Sequence, residues 1–163
     1  MLRSTAVFFF VVVCVSGCVS GGGAGDAPVA PKGVRDLRIN EVAAAGDPVD
    51  WFELFNVGGN DVALDGARFS DDEGSPGKGV FADGAVVSAG EFFVVDVDDL
   101  GAGFKLASDE ALFLFAAENE ALVDSVDWAE GESPKNGSFA RAGDGDGEFA
   151  TVVGDTKGVS NVP

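Results

Sequence analysis

From Val34 onward the chain is cut into short β-prone runs by glycine, asparagine and aspartate, and this spacing leaves few folds open to it. Arg35 to Val42 opens with Leu37 and Ile39 alternating against Arg38 and Asn40, the period-two pattern of a half-buried strand. Trp51 to Phe55 is a compact run ended by the turn segment Asn56-Val57-Gly58-Gly59-Asn60-Asp61. Val62 and Leu64 follow at a spacing of two, then Ala67 to Ser70, then a loop over residues 70–77. Further strands are expected at Ala85 to Val87, Glu91 to Val97, Ala111 to Ala116, Ala121 to Val126 and Phe149 to Val153. Glycine supplies 24 of 163 residues, about twice the usual ~7%, and its scatter fits many tight turns. Some eight or nine strands at this spacing predict an all-β sandwich with Greek-key connections, forming one domain over 34–163.

The run Ala111-Leu112-Phe113-Leu114-Phe115 is apolar at every position, which predicts a central strand covered on both faces. A helix over Ser108 to Ala121 is the competing reading, since Ala, Glu and Leu are good helix formers. The shortness of the apolar run and its two phenylalanines favour a pleated strand.

The first residues are of another kind. Arg3 precedes an apolar stretch from Ala6 to Val15, then the small pair Ser16-Gly17 and Cys18. This is the layout of an export signal. A transmembrane helix is a poor alternative: stretched from Ala6 to Val19 it would reach only ~21 Å, against a hydrocarbon core of ~30 Å. The tetrapeptide Val15-Ser16-Gly17-Cys18 resembles the lipobox of bacterial lipoproteins, and the cysteine directly after Gly17 favours this over an ordinary secretory signal. The resemblance implies cleavage after residue 17, acyl chains on Cys18, and an exported protein lipid-anchored in the bacterial cell envelope, at the outer membrane or cell surface. Residues 18–33, rich in Gly, Pro and Ala, would then be a flexible linker with a reach of roughly 20 Å. Cys14 would leave with the signal, so no intrachain disulfide is expected.

The formal net charge is −18 at pH 7, and no two basic residues lie closer than three positions apart. Nucleic-acid binding, which needs a basic patch or stripe, is excluded on this ground. The acidity reads as a solubility device. Histidine and tyrosine are both absent. This removes Ser-His-Asp and Cys-His catalysis, histidine general bases and histidine-based metal sites.

Several segments together resemble the lamin-tail domain family. They are Leu37-Arg38-Ile39-Asn40-Glu41-Val42, Asp50-Trp51-Phe52-Glu53-Leu54-Phe55-Asn56, and Val62-Ala63-Leu64-Asp65-Gly66-Ala67-Arg68-Phe69-Ser70-Asp71. Ala89 to Val95, Leu122 to Val126, Ser138-Phe139-Ala140-Arg141 and the closing Thr156 to Asn161 continue the likeness in order. Lys157 stands where the family usually has proline, and Phe55 and Phe139 replace the more common tyrosine. The resemblance implies an immunoglobulin-like β-sandwich whose motif residues include Glu41, Trp51, Glu53, Asn56, Gly66, Arg141 and Asn161. It implies a binding or structural module, not a chemistry.

Two candidate sites remain. Glu41 and Glu53 could form the carboxylate pair of a hydrolase if they face each other across a cleft; the competing role is fold-fixing, through Arg141 or through backbone hydrogen bonds. Asp144-Gly145-Asp146-Gly147-Glu148 sets three acids at alternate positions, a spacing that suits calcium, although Phe149 stands where an EF-hand loop needs glycine. Asp71-Asp72-Glu73 and Asp96-Val97-Asp98-Asp99 are similar clusters. Trp51 and Trp128 read as core in preference to sugar-stacking residues. The expectation is therefore a non-enzymatic, membrane-tethered lamin-tail module that binds an envelope or extracellular protein or glycan, with calcium the one cofactor to consider. A calcium-assisted adhesin or carbohydrate-binding module is the rival, and a carboxylate-dependent hydrolase the third reading.

Overall fold

The computed structural model describes residues 33–45, 49–97, 105–117 and 120–162. The signal (1–17), Cys18 and nearly all of the linker lie outside them. A 3-10 turn at Val34–Asp36 leads into eleven strands: β1 (Leu37–Ala43), β2 (Trp51–Asn56), β3 (Val62–Ala63), β4 (Arg68–Ser70), β5 (Gly79–Val80), β6 (Val86–Val87), β7 (Phe92–Asp96), β8 (Glu110–Phe115), β9 (Leu122–Trp128), β10 (Gly137–Gly143) and β11 (Asp146–Val153). One sheet has the order β11-β10-β1-β2-β7 and another β5-β4-β8-β9, with β3 and β6 paired separately. Every pairing between these named strands is antiparallel. The fold is an immunoglobulin-like β-sandwich. Among the described residues no helix is long and apolar enough to cross a membrane.

The inner faces explain the alternation in the sequence. Leu37, Ile39, Phe52 and Leu54 from the five-stranded sheet meet Phe69, Leu112, Leu114, Val126 and Trp128 from the four-stranded one. Phe52 and Phe69 touch edge to face with ring centres 5.0 Å apart, and Phe69 passes the contact to Phe81 at 5.3 Å. Side chains of this size are worth roughly 1.5–3 kcal/mol each when fully buried. The described residues contain no cysteine, so packing of this kind carries their stability. Trp128 is fully buried and donates Nε1–H to the Ala107 carbonyl at 2.9 Å.

Period two breaks inside β1 at a point that matters for the outer face. Ile39 pairs with Leu54 and Glu41 with Glu53, so Asn40 is the extra residue of a β-bulge. Unbroken alternation after Leu37 and Ile39 would turn Glu41 into the core. The bulge turns it to the outer face and brings Val42, opposite Phe52, back inside.

β8 does lie inside its sheet, between β4 and β9. Its expected cover on both faces is incomplete, however. Leu112 and Leu114 fill the core, while Phe113 is half-buried and stacks on Phe115 at 6.3 Å. The strands β5 and β10 are additions to the expected set, and β11 starts three residues earlier than expected.

Candidate functional site

The outer face of the five-stranded sheet holds a polar seam closed by the C-terminal segment. Glu41 and Glu53 are cross-strand partners, and both are 0% exposed. After β11 the chain crosses this face and donates to both carboxylates. Thr156 N–H donates to Glu41 Oε1 at 3.0 Å, and Thr156 Oγ1 lies 2.7 Å from Glu41 Oε2. Gly158 N–H donates to Glu53 Oε2 at 2.6 Å, and Asn40 Nδ2 to Glu53 Oε1 at 3.0 Å. Asn161 Nδ2 donates to the carbonyls of Asn40 and Arg141 at 3.2 and 3.1 Å. Those two bonds fix its amide, leaving Oδ1 2.7 Å from Thr156 Oγ1. The single hydroxyl proton of Thr156 thus serves either Glu41 or Asn161 at one time.

Two features of the local sequence make this closure possible. Asn40, expelled from the ladder by the bulge, accepts Gly145 N–H at 2.8 Å while donating to Glu53, and so links the β10–β11 turn to the seam. Gly158 sits at φ +77° in a turn closed by the Val159 N–H to Thr156 carbonyl bond of 2.8 Å. That third turn position requires a left-handed backbone, which glycine adopts without steric cost. Lys157, at the preceding position, lies over the Trp51 ring at 5.2 Å and pairs with Asp96 at 2.7 Å.

Burial of two like-charged groups side by side has an electrostatic consequence. Loss of hydration pushes Glu53 up to about 7. The neighbouring charges of Glu41 and Asp144 push in the same direction, and the hydrogen bonds from Asn40 and Gly158 oppose them. Every oxygen of the two carboxylates lies within hydrogen-bond distance of this chain's own groups, and both side chains are buried among the described residues. The separation of roles that a glycosidase needs, one acid and one base or nucleophile facing a bound sugar, is not available to this pair.

The other motif residues also hold backbone. Asn56 is buried; its Nδ2 reaches the carbonyls of Asn60, Val87 and Ser88, and its Oδ1 accepts Gly58 N–H at 2.9 Å. Gly66 adopts φ +69° close to Ala117. Trp51 is buried on the outer face, outside the main core cluster. Arg141 does not pair with Glu41 or Glu53, which corrects that part of the sequence reading. Its Nη2 donates to both oxygens of Asp124 at 3.2 and 3.0 Å, and its Nε to the Ile39 carbonyl at 2.8 Å. Arg141 pairs across from Phe149 in the ladder and packs on that ring, on the side facing β9, which carries Asp124.

Asp144, Asp146 and Glu148 are not brought together. Among the described residues no group of three or more acidic side chains converges to hold a metal ion. Asp144 accepts from Asn161 N–H at 2.8 Å and Ser160 Oγ at 2.6 Å, Asp146 from Gly147 N–H at 2.8 Å, and Glu148 is exposed. The Asp-Gly spacing serves a tight hairpin connection, with Gly145 at φ +69° and Gly147 at φ +80°. Of the other clusters, Asp71 pairs with Lys78 and Asp96 with Lys157.

Sequence reasoning did not single out Asn40, Asp124, Thr156 or Gly158 as site residues. Thr156 and Gly158 fall in a stretch marked by family likeness, but their partners lie 115 and 105 residues away. The Lamin Tail Domain family model matches residues 30–130. Comparison with curated proteins and with solved structures finds no match. The closing segment lies beyond the matched stretch, yet docks on the two glutamates inside it. With the family's model covering more than half of its length, the chain belongs to the Lamin Tail Domain family.

Proposed function

We propose that the chain is a lipid-anchored, non-enzymatic binding or structural module of the bacterial cell envelope. Cys18 holds the acyl chains, residues 18–33 form a loose tether, and the lamin-tail sandwich presents its loops to an envelope or extracellular protein or glycan. The observation that carries this reading is Val15-Ser16-Gly17-Cys18, placed directly after an apolar stretch and before a Gly-Pro-Ala linker. Two features of the domain support the absence of catalysis. It lacks histidine, and its most promising carboxylate pair is committed to holding the C-terminal segment.

One acyl chain gives only marginal membrane binding, and stable anchoring takes a second signal or chain. The several chains of a lipoprotein cysteine meet that requirement without help from the acidic domain. In the bacterial host, Cys18→Ala should shift the protein from the membrane fraction to the soluble exported fraction and abolish labelling by a fatty-acid analogue. A Cys18→Ala protein that stays in the membrane fraction refutes the anchor.

A further inference from the structure

Where the chain enters the sandwich, Arg35, Arg38, Ala116, Ala121, Leu122 and Val123 line a cavity of about 250 Å³. We propose that this cleft binds an amphiphilic organic anion: a phosphate or carboxylate head between Arg35 and Arg38, with a short alkyl body against Leu122 and Val123. The site is independent of the membrane anchor and of the sealed glutamates.

Positive charge is scarce in this chain, and much of it is already spent. Arg68 pairs with Glu120, Lys78 with Asp71, Arg141 with Asp124 and Lys157 with Asp96. Arg35 and Arg38 have no carboxylate partner among the described residues, and both face the same cavity. Arg38 is also held in place: Nη1 donates to the carbonyls of Arg35 at 3.0 Å and Leu37 at 2.7 Å. Its Nε and Nη2 donors remain for a ligand, and a planar fork of this kind matches phosphate or carboxylate oxygens.

Among the described residues, the carboxylates nearest in sequence point to other neighbours. Asp36 lies against Gly58, Glu120 holds Arg68, and Asp124 takes both the Arg141 guanidinium and Ile39 N–H. Repulsion by the rest of the acidic surface is screened beyond about 8 Å at physiological salt, so the two arginines govern the cleft itself.

The other lining residues are apolar. Leu122, the first residue of β9, is 47% exposed. An alkyl group laid on it would gain about fourfold in affinity for each methylene buried. The cavity is smaller than the roughly 300–1,000 Å³ of full ligand pockets. That size suits a head and a few carbons, either as a small molecule or as the end of a longer one.

The test is a titration of the full chain with butyl phosphate, hexanoate and inorganic phosphate, followed by backbone amide NMR. Saturable shifts at Arg38, Leu122 and Val123 with either alkyl anion are expected, and the tighter one identifies the head. Inorganic phosphate should bind at least about tenfold more weakly, from the methylene increments. Arg38→Gln should weaken the alkyl anion by about tenfold or more, the worth of a charge-assisted hydrogen bond. Leu122→Glu changes an exposed residue and sets a carboxylate in the cleft; it should abolish binding with the thermal melt unchanged. Absence of saturation by both alkyl anions overturns the site. Equal binding of inorganic phosphate overturns the apolar half of it, and unchanged affinity in both variants overturns the assignment to this cleft.

Discussion

The seam on β1 and β2 and the hairpin turn at 144–148 are both rich in carboxylates, yet they differ in nearly every physical respect. In the seam two glutamates are buried side by side, and each oxygen is met by a donor from this chain. In the turn, Asp146 and Glu148 are exposed and stand apart. An exposed carboxylate is hydrated and screened, so its removal costs little. A buried one without partners would cost several kcal/mol, and that cost commits the seam to a fixed set of donors. Asp144 joins the two regions, because it belongs to the turn by sequence and holds Ser160 and Asn161 by hydrogen bonds. The contrast shows that acidity at −18 is not one property here. Its structural share is a small buried subset.

The hardest way to break the seam is to remove its lid. A chain ending at Gly154 loses the donors Thr156 N–H, Thr156 Oγ1–H and Gly158 N–H, and opens both glutamates to water. Hydrogen bonds to charged groups are worth about 1.5–3 kcal/mol each, so the truncation should cost on the order of 5 kcal/mol. That is a large part of the usual 5–15 kcal/mol for a domain. Urea unfolding measures it. A truncated chain within about 1 kcal/mol of the parent would mean that the segment merely rests on the sheet.

A gentler perturbation is pH. Glu53 is pushed up from 4.5 to about 7 in the folded chain. Between these values the folded state binds the proton more tightly than the unfolded state does. Glu53 therefore favours folding fully below about 4.5, and this contribution is lost as pH rises through about 7. The difference corresponds to about 3 kcal/mol. Other carboxylates also titrate, so the readout is the comparison with Glu53→Gln. The variant should lose about 3 kcal/mol of the stability difference between pH 4.5 and 8, whatever its stability at any one pH. Parallel pH curves for the two proteins would show that folding does not shift the titration of Glu53.

How much of this was legible beforehand depended on the range of the interaction. The inward set Leu37, Ile39, Phe52 and Leu54 follows from alternation, and the sandwich with it. The bulge at Asn40 does not, because a single extra residue leaves no periodic signal and is defined only by pairing with β2. β5 is two residues long and exists by its pairing with β4. β10 is flanked by glycine and carries Ser138, Ala140 and Ala142, a weak pattern; its place beside β1 is set by contacts about a hundred residues apart. Family likeness marked Glu41, Glu53 and Arg141, but likeness in one strand does not name a partner in another. Arg141 faces Asp124 because alternation from Phe139 puts both β10 residues on the same side, opposite β9. Thr156 and Gly158 contribute backbone N–H groups, which every residue except proline carries, so their role is invisible until the chain is folded.

The smallest effect belongs to the exposed turn, and it sharpens the comparison from the other side. Neutralising Asp146 and Glu148 together as Asp146→Asn and Glu148→Gln should leave stability within about 0.5 kcal/mol. Asp146 accepts the Gly147 N–H next to it, a bond that the asparagine Oδ1 can keep, and Glu148 is exposed. Relief of like-charge repulsion makes a slight gain at low salt the expected sign, fading as added salt screens it. Millimolar calcium should leave the melting point of both proteins unmoved, since the turn offers no convergent oxygens. A calcium-dependent rise in the parent that the double variant lacks would reverse the conclusion, because bound ligand raises stability in proportion to RT ln(1 + [L]/Kd). The turn would then rank with the seam as a place where acidity does structural work.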